Sequence, residues 1–159
     1  GAPALATALA EELVASHYRD GRFHVTPERD AVYVHAHCYA LEGLWRLGGA
    51  TEPLRAGVEW LASVQQPDGS LPRWWHADGE RSGQAGDATA QAVRLWCLVD
   101  RERYDDRIAV GLGFLATLEL PSGGIRYSAE HEEANTWTTL FATQAELIAA
   151  HGPTPDCIA

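Results

Sequence analysis

The sequence predicts an all-α domain of three helical hairpins that are joined by short extended loops. The first observation behind this prediction is a Gly-rich turn that recurs about every fifty residues, at Gly21, at Gly69 and at Gly123-Gly124, which indicates an internal repeat. The second is that an aromatic or basic extended stretch follows each turn. The third is that each repeat holds two amphipathic segments of helical length. Because one hairpin cannot bury its apolar face alone, we expect the hairpins to stack.

The hairpins are assigned from apolar residues at helical spacing and from the residues that cap or break helices. They are expected over residues 3–47, 51–100 and 103–151. Asp30 is predicted to cap the second helix and Thr51 the third, and the fourth begins near Asp87. The fourth helix is apolar on most of its faces, so we expect it to be central. Helices two, four and six are predicted to be inner helices, and three and five outer ones.

The composition is that of one globular domain. The chain has 159 residues, of which 46% are hydrophobic and 21% are charged, which is enough to bury a core. Its net charge of −10 opposes nucleic-acid binding, which needs clustered Lys and Arg. Neither a signal peptide nor a membrane span is predicted from the Ala-rich residues 4–15, which contain two Glu, and we expect a soluble, cytoplasmic protein. Cys38 and Cys97 are expected to be buried thiols.

Three stretches of the predicted inner helices resemble one known group of proteins. They are the run from His35 to Leu44, Gln91 with the apolar residues that follow it, and Asn135 and Trp137 ahead of Leu140-Phe141. On these residues the chain resembles bacterial α/α-toroid proteins of the squalene-cyclase and prenyltransferase repeat type, including members associated with polysaccharide genes. The resemblance implies that the three hairpins form about half of an α/α toroid.

The resemblance also has departures. The chain has Gln84-Ala85-Gly86-Asp87-Ala88 where such proteins carry a Ser-Cys-Leu-Thr-Gly run, and it lacks the Asp-rich motif of triterpene cyclases and a counterpart of the prenyltransferase zinc ligands. Half a ring would leave an apolar edge exposed. We therefore expect either a homodimer that closes the ring by two-fold symmetry or a missing N-terminal half in a longer protein; the absence of Met agrees with a start further upstream.

A polar stripe on the second helix is the first candidate for chemistry. His35, Tyr39 and Glu42 are spaced i, i+4 and i+7, which places an imidazole, a phenol and a carboxylate on one helix face. In a cavity, burial would tune such groups for acid or base catalysis. The alternative is a buried hydrogen-bonded network that fixes the packing of the hairpins. His37 lies on another face from His35, so no metal site is predicted.

Asp87 is the best single candidate for a catalytic carboxylate. It begins the fourth helix, and Gln91 and Arg94 follow it at the same spacing. Sugar hydrolysis or proton abstraction needs such a group at a cavity mouth. The alternative is that Asp87 is simply the N-cap of this helix.

Aromatic and amide side chains are expected to form a substrate platform at one rim. The candidates are Trp75, His76, Gln91, Asn135 and Trp137, because aromatic faces stack on sugar rings or prenyl chains. Trp74 is predicted instead to pack between outer helices.

Three functions remain open from the sequence. The first is a carbohydrate-processing hydrolase, lyase or epimerase in which Asp87, His35, Tyr39 and Glu42 supply the acid and base groups. The second is an isoprenoid cyclase-like or prenyltransferase-like domain with an aromatic cavity. The third is a non-catalytic scaffold, which would have its polar residues closed in mutual hydrogen bonds. No cofactor is expected, and the ligand is expected to be a glycan or another small molecule.

Overall fold

The structure is a computed structural model that describes residues 2–48 and 51–153. Within these residues the chain forms six helices and five short strands. The helices are α1 (Ala2–His17), α2 (Val34–Gly48), α3 (Glu52–Val64), α4 (Gly86–Asp100), α5 (Asp105–Thr117) and α6 (Thr136–His151). The strands are β1 (Tyr18–Arg19), β2 (Arg22–Phe23), β3 (Ala31–Tyr33), β4 (Leu71–His76) and β5 (Arg81–Ala85).

The all-α prediction is wrong, because the extended stretches pair with one another. Strands β1 and β2 form one antiparallel sheet, and β3, β4 and β5 form a second in that order. Tyr33 lies opposite Trp74, and Trp74 lies opposite Ser82. These segments were expected to be separate loops, but their backbone N–H and C=O groups form hydrogen bonds with one another across the strands. The fold is therefore a mixed one, with helices carrying two small sheets.

Strand pairing also moves the start of the second helix. Asp30 was predicted as its N-cap, but residues Ala31–Tyr33 pair with β4 and α2 begins only at Val34. Asn135 is the N-cap of α6. Its side-chain oxygen accepts a hydrogen bond from the Thr138 backbone N–H at 2.9 Å, which is the usual interaction of a polar N-cap residue.

Helix α4 is the centre of the molecule, as the sequence predicted. Every residue from Gly86 to Cys97 is buried, and the helix packs against α2, α3, α5 and α6. The largest side chain enclosed is that of Trp96, whose Nε1 donates to the Val58 carbonyl at 3.3 Å. Both Cys38 and Cys97 are buried free thiols, while Cys157 lies outside the described residues. None of the described helices combines the length and apolarity that a bilayer crossing requires.

His37 is a structural residue in the core. The Phe23 backbone N–H donates to its Nδ1 at 3.1 Å, so the ring proton is on Nε2, which lies 3.3 Å from the Gly57 carbonyl oxygen that accepts it. Burial lowers the pKa of His37 to about 4. The ring is therefore neutral near pH 7 and ties β2 to α2 and α3.

The turn at Gly69 needs a residue without a side chain. Its φ is +89°, and a Cβ added there would lie 2.0 Å from the Val110 carbonyl oxygen of α5. Gly69→Ala should therefore destabilise the fold by at least about 2 kcal/mol more than Gly79→Ala, measured by urea unfolding. Gly79 is the matched control because its φ is +88° and a Cβ there would meet nothing within 4 Å. Equal losses for the two variants would contradict the close approach of the backbones.

Candidate functional site

Asp87 lies in the first turn of the central helix α4, where a glycine lets a second chain segment approach. The Gly86 N–H donates to the Tyr127 carbonyl at 2.8 Å, and a Cβ on Gly86 would lie 2.9 Å from that oxygen. The N-cap position belongs to Ala85, which provides no side-chain hydrogen bond. Asp87 is therefore not the N-cap residue but lies in the first turn of α4, where the helix dipole also favours a carboxylate.

The Asp87 carboxylate is buried and faces His35. Its Oδ1 accepts a hydrogen bond from the Ala88 N–H at 2.7 Å, and its Oδ2 lies 3.4 Å from His35 Nδ1. Burial raises the pKa of Asp87, while its interactions with His35, the Ala88 N–H and Arg73 oppose part of this rise. The carboxyl group thus keeps its proton to a higher pH than an exposed Asp does.

His35 and Tyr39 lie together at the outer side of Asp87, one turn apart on α2. Their rings are 4.6 Å apart in an edge-to-face arrangement, as the i, i+4 spacing predicted. No atom among the described residues hydrogen-bonds to the buried Nδ1 of His35. Tyr39 is 44% exposed, so the group of Asp87, His35 and Tyr39 reaches from the helix core to solvent.

Glu42 and Gln91 lie deeper and are engaged with each other. Glu42 forms an ion pair with Arg94 and accepts a hydrogen bond from Gln91 Nε2 at 3.2 Å. Arg94 also donates to Gln144 Oε1, and its guanidinium lies 4.7 Å from the Phe141 ring centroid. Burial raises the pKa of Glu42 while Arg94 and Gln91 lower it. This half of the predicted stripe is a buried network that joins α2, α4 and α6, and the Phe141 ring beside Arg94 also contacts His35 and Tyr39.

A row of rings extends from His35 across the three-stranded sheet. Tyr33 lies 5.9 Å from His35 and 4.9 Å from Trp74 between ring centroids. His76 lies two residues after Trp74 on the same face of β4, and the two rings are 6.2 Å apart at 21°. The structure thus brings the predicted His76, together with Trp74, to the side of the sheet that leads to Asp87.

Trp75 lies on the opposite face of β4. Its ring packs edge-on against Trp60 at 5.9 Å, and the Arg22 guanidinium covers it at 4.4 Å. Because side chains alternate along a strand, Trp74 and not Trp75 faces the site.

The other predicted platform residues lie around α6. Trp137 is 57% exposed and its ring centroid is 5.8 Å from that of Phe141. The Phe141 ring lies 6.0 Å from the His35 ring, which connects Trp137 to the site through one intervening ring. The side-chain oxygen of Asn135 is occupied by the helix cap.

Arg73 and Tyr127 were not predicted as site residues, but both interact electrostatically with Asp87. The Arg73 Nε donates to the Tyr127 hydroxyl at 3.1 Å. Burial and the negative charge of Asp87 raise the pKa of Tyr127 to about 12, so its hydroxyl keeps its proton. The repeat itself carried the signal that could have found them, because Arg22-Phe23, Arg73-Trp74 and Arg126-Tyr127 each follow a Gly-rich turn.

The described residues hold no cluster of three or more His, Cys, Asp or Glu side chains that could bind a metal ion. The groups that can act on a ligand here are a carboxyl, an imidazole and two phenols beside a guanidinium. Such a set transfers protons and donates hydrogen bonds.

Two solved structures share the architecture that surrounds this site. One is a glycosyl hydrolase of family 88 from Bacteroides vulgatus, with a TM-score of 0.65, 14% identity, 88% of this chain covered and 51% of that chain covered. The other is a polysaccharide lyase, with a TM-score of 0.70, 14% identity and coverages of 91% and 54%. The chain shares its fold with carbohydrate-active proteins. At this identity the likeness shows the fold alone.

The likeness to solved structures supports only part of the predicted resemblance. The likeness in fold is to carbohydrate-active proteins, and a likeness to the squalene-cyclase type is not shown. The chain spans about half the length of the solved structures it matches. No protein-family model and no curated protein matches it.

Proposed function

We propose that this chain is a carbohydrate-processing domain, of hydrolase, lyase or epimerase type, in which Asp87 and His35 transfer protons at a bound sugar. One observation carries the proposal. A buried carboxyl with a raised pKa lies 3.4 Å from an imidazole nitrogen that no described residue hydrogen-bonds, beside an exposed phenol. The two carbohydrate-active structures of the same fold support the substrate class.

The three reactions share a requirement that this site meets. Hydrolysis needs a proton for the leaving glycosidic oxygen, and both elimination and epimerisation need a base that removes a proton from a sugar carbon. Asp87 and His35 supply the proton donor and acceptor, and the exposed Tyr39 supplies a hydroxyl beside His35. Tyr33 and Trp74 present aromatic faces on which a sugar ring can stack.

The site favours a glycan over an isoprenoid. Its charged and polar groups, Asp87, His35 and Arg73, would lose hydration against an apolar chain without gaining hydrogen bonds. A sugar would provide hydroxyl partners for each of them.

The scaffold alternative accounts for the Glu42 network but not for Asp87. In a purely structural role a buried carboxyl is expected to be enclosed by its partners, as the carboxyl of Glu42 is by Arg94 and Gln91. Asp87 instead pairs with His35 Nδ1, at 3.4 Å, beside a Tyr39 side chain that is 44% exposed.

The closed α/α toroid remains a prediction. The chain's coverage of about half of its structural neighbours supports completion by a second copy or by further chain. Apolar side chains exposed on the terminal helices, Leu5 and Leu9 on α1 and Leu140 and Leu147 on α6, are the surfaces on which we propose that this completion occurs.

A glycan screen with a His35 variant tests the proposed function. Neutral and acidic polysaccharides are incubated with the chain, and both reducing ends and the ultraviolet absorbance of unsaturated products are followed. We expect turnover of one glycan class, and we expect His35→Gln to lower kcat/KM by about 10²-fold, since a positioned proton-transfer group contributes this much. His151→Gln, at the exposed end of α6, is the matched control. Undiminished turnover by His35→Gln, or turnover of an isoprenoid diphosphate and of no glycan, would contradict the proposal.

A further inference from the structure

A concave surface lies against strands β3 and β4 of the three-stranded sheet. It is a cleft of about 530 Å³ lined by Val25, Arg29, Asp30, Ala31, Trp74 and His76. Asp30 was predicted only as a helix N-cap, and Arg29 was assigned no role. The cleft shares Trp74 with the row of rings that leads to His35, because the Trp74 ring also contacts the Tyr33 ring.

The row of rings connects the two places. From the cleft it runs through His76 and Trp74 to Tyr33, and from Tyr33 to His35 beside Asp87, with centroid separations of 6.2, 4.9 and 5.9 Å. Rings at these separations are in contact with one another, so the aromatic surface is continuous from the cleft to His35. A chain bound at Asp87 that follows this row therefore enters the cleft.

Besides His76, the polar lining of the cleft consists of the cation Arg29 and the anion Asp30. Arg29 and Asp30 are adjacent and exposed, and the segment that carries them is held by Arg19, whose guanidinium donates to the Arg29 carbonyl at 3.3 Å. Guanidinium donates to sugar hydroxyls, and carboxylate accepts from them. Ligand-binding sites commonly combine an apolar wall with a few polar groups that orient the ligand. Here the Trp74 indole would be the apolar wall, and Arg29 and Asp30 would be the polar groups.

The charge balance identifies the class of sugar. A chain with a net charge of −10 repels a polyanion, and Asp30 offsets the charge of Arg29 inside the cleft. His24, which lies behind Asp30 with its Nδ1 3.5 Å from the carboxylate, adds no positive charge near pH 7, because burial lowers its pKa. A neutral sugar is therefore favoured over a uronic acid.

We propose that this cleft is a subsite for a neutral pyranose unit of the glycan, which stacks on Trp74 and His76 and hydrogen-bonds to Arg29 and Asp30. The inference rests on the proposed function, since it takes the ligand to be a glycan that extends from Asp87. Beyond the proposed function, it specifies where a sugar unit remote from Asp87 binds and that this unit is uncharged.

Binding measurements on a chain that cannot turn over its ligand test the subsite. The full chain with Asp87→Asn is titrated by calorimetry with cello-, manno- and xylo-oligosaccharides of increasing length, and with oligogalacturonides as the acidic counterpart. We expect one neutral series to bind with an affinity that rises with length. Arg29→Ala and Trp74→Ala, added to this background, should each weaken the longest member about fivefold or more, with little effect on the shortest.

Arg81→Ala is the matched control, because Arg81 is an exposed arginine on the neighbouring strand β5 and does not line the cleft. Trp74→Phe retains a ring and should recover most of the affinity, which separates loss of stacking from loss of folding. Equal binding by Arg29→Ala and Arg81→Ala, binding of the oligogalacturonides in preference to every neutral series, or binding of no oligosaccharide would each overturn the subsite. Length-dependent binding that needs Arg29, in a chain whose unmodified form turns over none of these glycans, would keep the subsite and reject the proposed function.

Discussion

Replacing Asp87 by asparagine should lower kcat/KM by about 10³-fold on the glycan that the unmodified chain turns over, because general acid or base catalysis contributes about 10²- to 10⁴-fold. Asparagine has the shape of Asp and can still accept the hydrogen bond from the Ala88 N–H, but its amide cannot act as an acid or a base near neutral pH. The fold should therefore survive while proton transfer is lost. Steady-state kinetics and thermal unfolding of the same samples measure both properties.

The control for Asp87→Asn is Asp106→Asn. Asp106 is also a first-turn aspartate, in α5, but it is exposed, so its loss should leave turnover unchanged. Equal activity of the two variants would remove Asp87 from the mechanism.

The pH profile of the unmodified chain identifies the direction of proton transfer. Because burial raises the pKa of Asp87, one limb of the kcat/KM profile should lie above the ordinary range of an Asp, and Asp87→Asn should lack it. If Asp87 donates a proton, kcat/KM falls as pH rises through this pKa. If Asp87 accepts one, kcat/KM falls as pH decreases through it.

Replacing Arg94 by methionine should cost about 3–5 kcal/mol of unfolding free energy, since it leaves the buried carboxylate of Glu42 without its cation. The side chains of Arg94 and Glu42 are only 2% and 5% exposed. The variant also loses the hydrogen bond to Gln144 and the contact with the Phe141 ring. Urea unfolding near pH 7 measures the loss.

Two further variants separate the ion pair from ordinary surface charge. Arg103→Met breaks a pair with Glu59 whose side chains are 60% and 54% exposed, and it should cost at most about 1 kcal/mol. The double variant Glu42→Gln with Arg94→Met should recover much of the loss, because it removes the uncompensated charge. A loss in Arg94→Met no greater than in Arg103→Met would contradict the structural role of the network.

The cost of Arg94→Met should also decrease at acid pH. Burial raises the pKa of Glu42, and Arg94 opposes this rise, so without Arg94 the carboxyl takes up a proton at still higher pH in the folded state. A folded-state pKa above the unfolded value adds stability as pH falls. The difference in unfolding free energy between Arg94→Met and the unmodified chain should therefore become smaller as pH decreases toward the ordinary pKa of Glu.

The sequence by itself determined the features that depend on neighbours along the chain. The helical periodicity located the six helices and the central position of α4. It also placed His35 beside Tyr39, because residues four apart in a helix share a face. The carboxylate at the start of α4 was found in the same way, since a helix start can be recognised from local pattern alone.

Only the tertiary structure decided which distant residues meet. Glu42 and Arg94 are 52 residues apart, and Arg73 and Tyr127 are 54 apart, so no local pattern could show whether their side chains are closed in a network or left facing a ligand. The pairing of β3 with β4 decided that Trp74 faces the site and Trp75 the core. The physical reason is that strand pairing and burial are set by contacts between segments, which sequence periodicity within one segment does not specify.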